Sequence, residues 1–155
     1  MDIYFFVKTI HIISSTMLFG TGIGIAFFMF RTKFTNNLVE KLYVARTTVL
    51  ADYLFTFPAV ITQALTGAWL VNRSGYGWMD SWLLSTYAIY LLAGLCWLPV
   101  VWIQIQLRKI LVNCVESNST LPTRYRKLFN IWFILGWPAF IGLIVIFFLM
   151  VTKPV

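Results

Sequence analysis

Charge is scarce in this chain of 155 residues: Asp, Glu, Lys and Arg make up 11% of it, where a soluble domain carries about 25%. Acid is scarcer still, with 5 Asp or Glu against 12 Lys or Arg. There is one histidine, His11, and there are two cysteines, Cys96 and Cys114, far apart and outside any CxxC. These shortages exclude a good deal. The cysteine spacing indicates neither a zinc site nor a disulfide framework. No HExxH, Walker or paired-carboxylate motif occurs, so hydrolytic chemistry lacks its groups. Short alternating strands are missing too, which sets aside a β-barrel. The N-terminus has Asp2 where a cleavable signal has bases, and its apolar run is too long for one, so it reads as a retained helix.

What is present is apolar: 60% of residues are hydrophobic and 18% aromatic. A window of about 19 residues finds four runs, roughly Tyr4–Phe30, Val49–Val71, Ser81–Leu107 and Phe129–Val151. Each passes the ~20 residues that cross ~30 Å of hydrocarbon. Isolated spans must be helical, because lipid offers backbone groups no other partner. The expectation is one all-α domain over residues 1–155, a polytopic integral membrane protein built as a four-helix bundle.

The bases set an orientation. Arg31, Lys33, Lys41 and Arg46 fall in loop 1, and Arg108, Lys109, Arg124, Arg126 and Lys127 in loop 3. Loop 2 has only Arg73 and the tail only Lys153. The positive-inside rule then predicts loops 1 and 3 in the cytoplasm, with N-out and C-out termini. Aromatic belts are expected at Tyr4, Trp69, Tyr76, Trp78 and Trp82 outside, and at Tyr43, Tyr53, Trp102, Tyr125 and Trp132 inside. The net charge of +7 thus points to the lipid bilayer and not to nucleic acid.

Pro58, Pro99 and Pro138 lie at similar depths in the second, third and fourth helices, and Gly20, Gly22 and Gly24 match them in the first. Each proline frees the carbonyl four residues earlier, on Leu54, Leu95 and Ile134. GTGIG follows no strand, so it is no dinucleotide loop; its GxxxG pair predicts close helix approach. Two roles stand open for this layer: shaping the bundle alone, or lining a cavity or hinge.

Ionisable groups inside a membrane are costly, about 2.5–3.5 kcal/mol each on insertion scales, and each is a candidate site. Lys8, His11 and Asp52 qualify. At helical spacing, Lys8, His11, Ser15, Leu18 and Gly22 form one stripe expected to face the interior, level with Thr62, Gln63 and Thr66 and with Thr86, Tyr87 and Tyr90. His11 is either hydrogen-bonded among these groups or an axial haem ligand. Lys8 either snorkels to the interface or faces an anionic group beside His11. Asp52 is expected in an ion pair with Arg31, Arg108 or Arg126.

The runs KTIHIISSTMLFGTGIG, LADYLFTFPAVITQALTGAWL, CWLPVVWIQ, LPTRYRKLF and GWPAF with the tail LMVTKP resemble, over nearly the whole chain, a family of predicted bacterial integral membrane proteins, domain of unknown function 2269. That resemblance implies a bacterial inner (cytoplasmic) membrane and brings no activity. More distantly, KTIHII, RYRKLFN and VTKP resemble HemJ-type protoporphyrinogen oxidases and their CopD-like relatives. By that resemblance His11 is the axial ligand of haem b; Lys8 and Ser15 on its stripe, and Gln63, Tyr87 and Tyr90 at matching depth, are then expected around the cofactor. The HemJ-type W-L-H-x-K motif is replaced here by Trp82-Leu83-Leu84-Ser85-Thr86, so the oxidase activity is not expected. Three functions stand open: a haem-b protein in electron transfer or redox support, a cofactor-free accessory subunit packing against partner helices or copies of itself, and a CopD-like transport or metal-handling module.

Overall fold

A computed structural model describes residues 2–154. Helix α1 spans Ile3–Arg31 and ends in a 3-10 turn, Thr32–Phe34; α2 spans Leu38–Ala51, α3 Phe57–Ser74, α4 Ser81–Glu116 and α5 Thr123–Thr152. Between α2 and α3, Asp52–Thr56 forms a π turn, so that α2, the turn and α3 make one rod. Four helical stretches of 32, 37, 36 and 30 residues are long and apolar enough to cross a membrane. At 1.5 Å per residue they run about 45–55 Å, well beyond the ~30 Å of hydrocarbon. They therefore outrun the windows expected for the second, third and fourth spans. Lys41 and Arg46 sit on α2, Arg108 and Lys109 on α4, and Arg124, Arg126 and Lys127 on α5, all in helix ends and not in loops.

Local signals account for the ends. Asn37 caps α2, its Oδ1 accepting from the amides of Val39 at 2.9 Å and Glu40 at 3.4 Å, while the Glu40 carboxylate reaches back to Asn37 Nδ2 and Thr35 Oγ1. That N-x-x-E capping box moves the helix start far ahead of the apolar run. Lys41 is buried and donates to the carbonyl of Thr32, where the dipole of α1 leaves partial negative charge. Gly75, at φ 74°, supplies the left-handed residue that closes α3.

The π turn has a local cause. Pro58 cannot donate to the carbonyl of Leu54, and the ladder slips by one residue: the amide of Phe57 bonds the carbonyl of Asp52, five back. Pro99 and Pro138 stay within α-helix.

α4 packs most extensively on α5, α1 lies along α3, and α2 lies along α4; α1 and α5 touch sparingly. The main core sits toward the basic end, around Met29, Leu42, Ile103, Leu107, Leu111 and Phe129. A smaller one, Val71, Trp82 and Leu83, closes the other end. Many large apolar side chains point outward instead, among them Phe5, Phe28, Leu95, Ile134 and Phe148, each more than half exposed. That is the reverse of a water-soluble bundle, and it suits lipid contact. Of the aromatics expected in belts, Tyr43, Tyr53, Trp102 and Trp78 are exposed, but Trp82, Tyr125 and Trp132 are buried core residues.

Three expectations need correction. The inward stripe of α1 runs through Tyr4, Val7, His11, Ser14, Leu18, Thr21, Ile25 and Met29, in steps of three and four; Lys8, Ser15 and Gly22 stand beside it. Gly20, Gly22 and Gly24 have no neighbouring group within 4 Å of a would-be β-carbon among the described residues, so GxxxG brings no helix close. The helical glycines at close approaches are Gly67, against His11, and Gly142, where a β-carbon would meet Ile89 Cγ2 at 3.0 Å. Third, Asp52 forms no ion pair among the described residues. Arg31 stacks over Phe34, Arg108 lines a separate basic cleft with Arg46 and Lys109, and Arg126 is exposed.

Candidate functional site

Two polar layers lie inside the apolar bundle, one above the other. The first joins α1 to α3. His11 Nδ1 is 2.8 Å from Thr66 Oγ1, and Ser14 donates to Gln63 Oε1 at 2.6 Å. The threonine fixes the histidine tautomer. Its one hydroxyl proton goes to the carbonyl of Thr62 at 2.5 Å, so Oγ1 accepts and the imidazole donates from Nδ1. Nε2 then carries the lone pair, and it makes no hydrogen bond among the described residues. Gln63 and Thr66 belong to this layer as expected, whereas the role expected of Ser15 is taken by Ser14; Ser15 bonds its own helix at Ile12. Lys8 is exposed, 6.0 Å from the ring of Tyr4. Tyr87 packs toward the Val71–Trp82–Leu83 cluster. Tyr90 donates to the carbonyl of Val60 at 2.8 Å and belongs to the layer below.

That lower layer is a chamber of about 390 Å³, bounded by α1, the π turn, α4 and α5. Its walls are apolar and largely aromatic, with Phe19, Tyr90, Trp97, Trp132, Phe133 and Trp137 contributing. Room comes from small residues: Gly22, Gly94 and Gly136 line it, and a β-carbon at any of them would touch nothing. Of the proline and glycine layer, Gly22 lines this chamber; Gly94 and Gly136 lie outside that layer. Leu54, Leu95 and Ile134, whose carbonyls the prolines free, carry exposed side chains.

The chamber has a polar end. Asp52 and Thr56 from the π turn and Gln104 from α4 line it, 4%, 7% and 2% exposed. Thr56, Trp97 and Gln104 face the Asp52 carboxyl. Even so, Asp52 Oδ2, Thr56 Oγ1, Trp97 Nε1, Gln104 Oε1 and Trp132 Nε1 are buried without a hydrogen-bond partner. A buried polar atom left unpaired costs about 1–3 kcal/mol. Five of them around one chamber amount to an unfilled set of hydrogen bonds.

It also has a side window. Phe19 stacks on Phe140, centroids 5.2 Å apart, and Phe30 on Phe133 at 5.7 Å, joining α1 to α5 above and below. Lys33 braces the lower post, its Nζ 5.3, 5.1 and 5.2 Å from the rings of Phe30, Phe129 and Phe133. Between the posts, Ile23, Phe27 and Trp137 line the chamber and are also 42%, 57% and 52% exposed on the outer face. The chamber opens sideways, toward lipid.

For haem b the donor at His11 is of the right kind, with Nδ1 held and Nε2 bare, as in histidines that ligate metals. The chamber does not serve it: its α1 wall begins at Leu18, seven residues or about 10 Å along the helix. Cys96 is half-buried and Cys114 buried, both free thiols. Among the described residues no three His, Cys, Asp or Glu side chains come together.

These features define a class, a multi-pass membrane protein with a laterally open chamber in its helical bundle. The chain belongs to the family of predicted integral membrane proteins DUF2269, whose model matches residues 5–154. No curated protein and no solved structure matches it.

Proposed function

We propose that this protein binds a lipid-soluble small molecule within the bilayer, taking it in sideways between α1 and α5. The observation that carries the reading is the lateral chamber itself: apolar walls, a polar inner end with unpaired groups, and an opening between two aromatic posts. Its volume falls in the range of small-molecule sites. An entrant loses no hydrocarbon contact on the way in, and it meets hydrogen-bonding groups that lipid tails cannot satisfy. The test is chemical. Solvent extracts of the purified protein should yield a lipid-soluble compound by mass spectrometry, and a Gly94→Leu variant, whose side chain fills the chamber, should yield none. Identical extracts from both proteins would sink the reading.

A second reading keeps haem b at His11, in an electron-transfer or redox role. It is supported by one observation, the 2.8 Å contact of His11 Nδ1 with Thr66 Oγ1, which occupies Nδ1 and leaves Nε2 bare. When bound, the haem would supply one-electron chemistry; His11 would hold the iron, and Thr66 would hold His11. An absorbance spectrum of haem-replete protein, oxidised and then reduced with dithionite, tests it. A Soret band that vanishes in His11→Ala supports it, and a colourless protein ends it.

A further inference from the structure

Resting on the lateral chamber as a ligand site, we infer that the ligand is a lipophilic cation, its positive head set against Asp52. One carboxylate residue lines the chamber, Asp52, and no Lys, Arg or His does. Its Oδ2 and the neighbouring Gln104 Oε1 are both acceptors, both buried and both without a donor. Thr56 Oγ1 and Trp97 Nε1 face the same carboxyl without closing on Oδ2, so the two acceptors are left to a ligand group that donates or carries positive charge. Among the described residues no lysine, arginine or histidine lines the chamber to supply that charge, and every arginine expected at that level is engaged or exposed elsewhere.

The rest of the wall suits the same head. Tyr90, Trp97, Trp132 and Trp137 present π-systems around the chamber, and a cation desolvated against aromatic faces is attracted by their quadrupoles. An anion would meet the Asp52 carboxylate with no base to offset it. The body of the ligand is apolar or aromatic, because the remaining walls offer it glycine, alanine and phenylalanine surface. Placing Asp52 on a π turn aids this geometry, since the widened turn carries both Asp52 and Thr56 to the chamber edge.

The test uses ions of one shape and opposite charge. The purified full chain in non-ionic detergent is titrated with tetraphenylphosphonium and with tetraphenylborate, binding being read by equilibrium dialysis and by quenching of tryptophan fluorescence. The cation should bind at least tenfold more tightly than the anion. Asp52→Asn should remove that preference, and Asp52→Glu should keep part of it. Gln104→Met, which leaves the carboxylate in place, should reduce the preference without abolishing it. Equal affinity for the two ions, or a preference unchanged in Asp52→Asn, overturns the inference. Neutral triphenylmethane separates this failure from a failure of the site. If triphenylmethane binds and Gly94→Leu blocks it while neither ion depends on Asp52, the chamber stands and the cation falls. If no probe is bound in a Gly94-dependent way, both fall.

Discussion

A β-carbon on Gly67 would stand 3.2 Å from Cε1 of His11. The adjacent Nδ1 is held by its bond to Thr66, so the ring has little freedom to retreat. This one approach ties α1 to α3 and makes the glycine a packing residue.

Stability should divide the glycines accordingly. Gly67→Ala gains up to about 1 kcal/mol of helix propensity but pays an overpacking cost of about 1–3 kcal/mol, so its melting temperature should fall. Gly20→Ala and Gly24→Ala meet no neighbour and should be neutral or stabilising. Thermal unfolding in detergent, followed by thiol labelling of Cys96 and Cys114, reads all three. A Gly24→Ala variant less stable than Gly67→Ala would reverse the assignment.

The tautomer of His11 is directly observable, because no second histidine crowds the spectrum. Nitrogen-15 NMR of the labelled protein should show a protonated Nδ1 and an unprotonated Nε2. Thr66→Val removes the acceptor at nearly constant volume and should mix the tautomers, with a loss of about 1–2 kcal/mol in stability. Thr66→Ser should preserve the wild-type pattern. A protonated Nε2 in the wild type would contradict the hydrogen-bond direction.

The four helices were legible because lipid makes length and hydropathy nearly sufficient. The second span was read too short for a clear reason: the first three turns of α2 carry Glu40, Lys41 and Arg46, which a hydropathy window rejects, while N-x-x-E, from Asn37 to Glu40, marks the start. His11, Gln63 and Thr66 were found as polar groups at matched depth. Ser14 was missed in favour of Ser15, because a stripe drawn from Lys8 runs one residue off the buried one. The chamber was not legible: of the three prolines and three glycines noted at one depth, Gly22 alone lines it, and Gly94 and Gly136 carried no signal. Which glycines line space and which touch a neighbour depends on helix rotation, and residue type does not encode it. Asp52 was found as an ionisable group inside a span and given the wrong partner, since the arginines expected near it are engaged or exposed elsewhere.

Gly142 makes the corresponding contact between α4 and α5, with Ile89 Cγ2 at 3.0 Å from a would-be β-carbon. Gly142→Ala should destabilise by about 1–3 kcal/mol. Ile89→Leu removes the branch methyl that obstructs it, so the double variant should recover part of the loss. Full additivity of the two single changes would show that the residues are not in contact.

Asp52→Asn carries opposite predictions for an ion-paired and an unpaired carboxylate, and the stability of the empty protein decides between them. Breaking a buried ion pair leaves a stranded partner and costs about 3–5 kcal/mol. Here no arginine or lysine pairs with Asp52 among the described residues, and its Oδ2 accepts nothing. The amide of asparagine keeps the shape, removes the charge and adds a donor beside the unpaired Gln104 Oε1. One new hydrogen bond there contributes about 1 kcal/mol. Asp52→Asn should therefore melt higher than the wild type while losing the ability to hold a cationic ligand, and Asp52→Ala, which leaves Gln104 unanswered, should gain less. A sharp fall in melting temperature for Asp52→Asn, rescued by neutralising one of Arg31, Arg108 or Arg126, would restore the ion pair and remove the carboxylate from the chamber's chemistry.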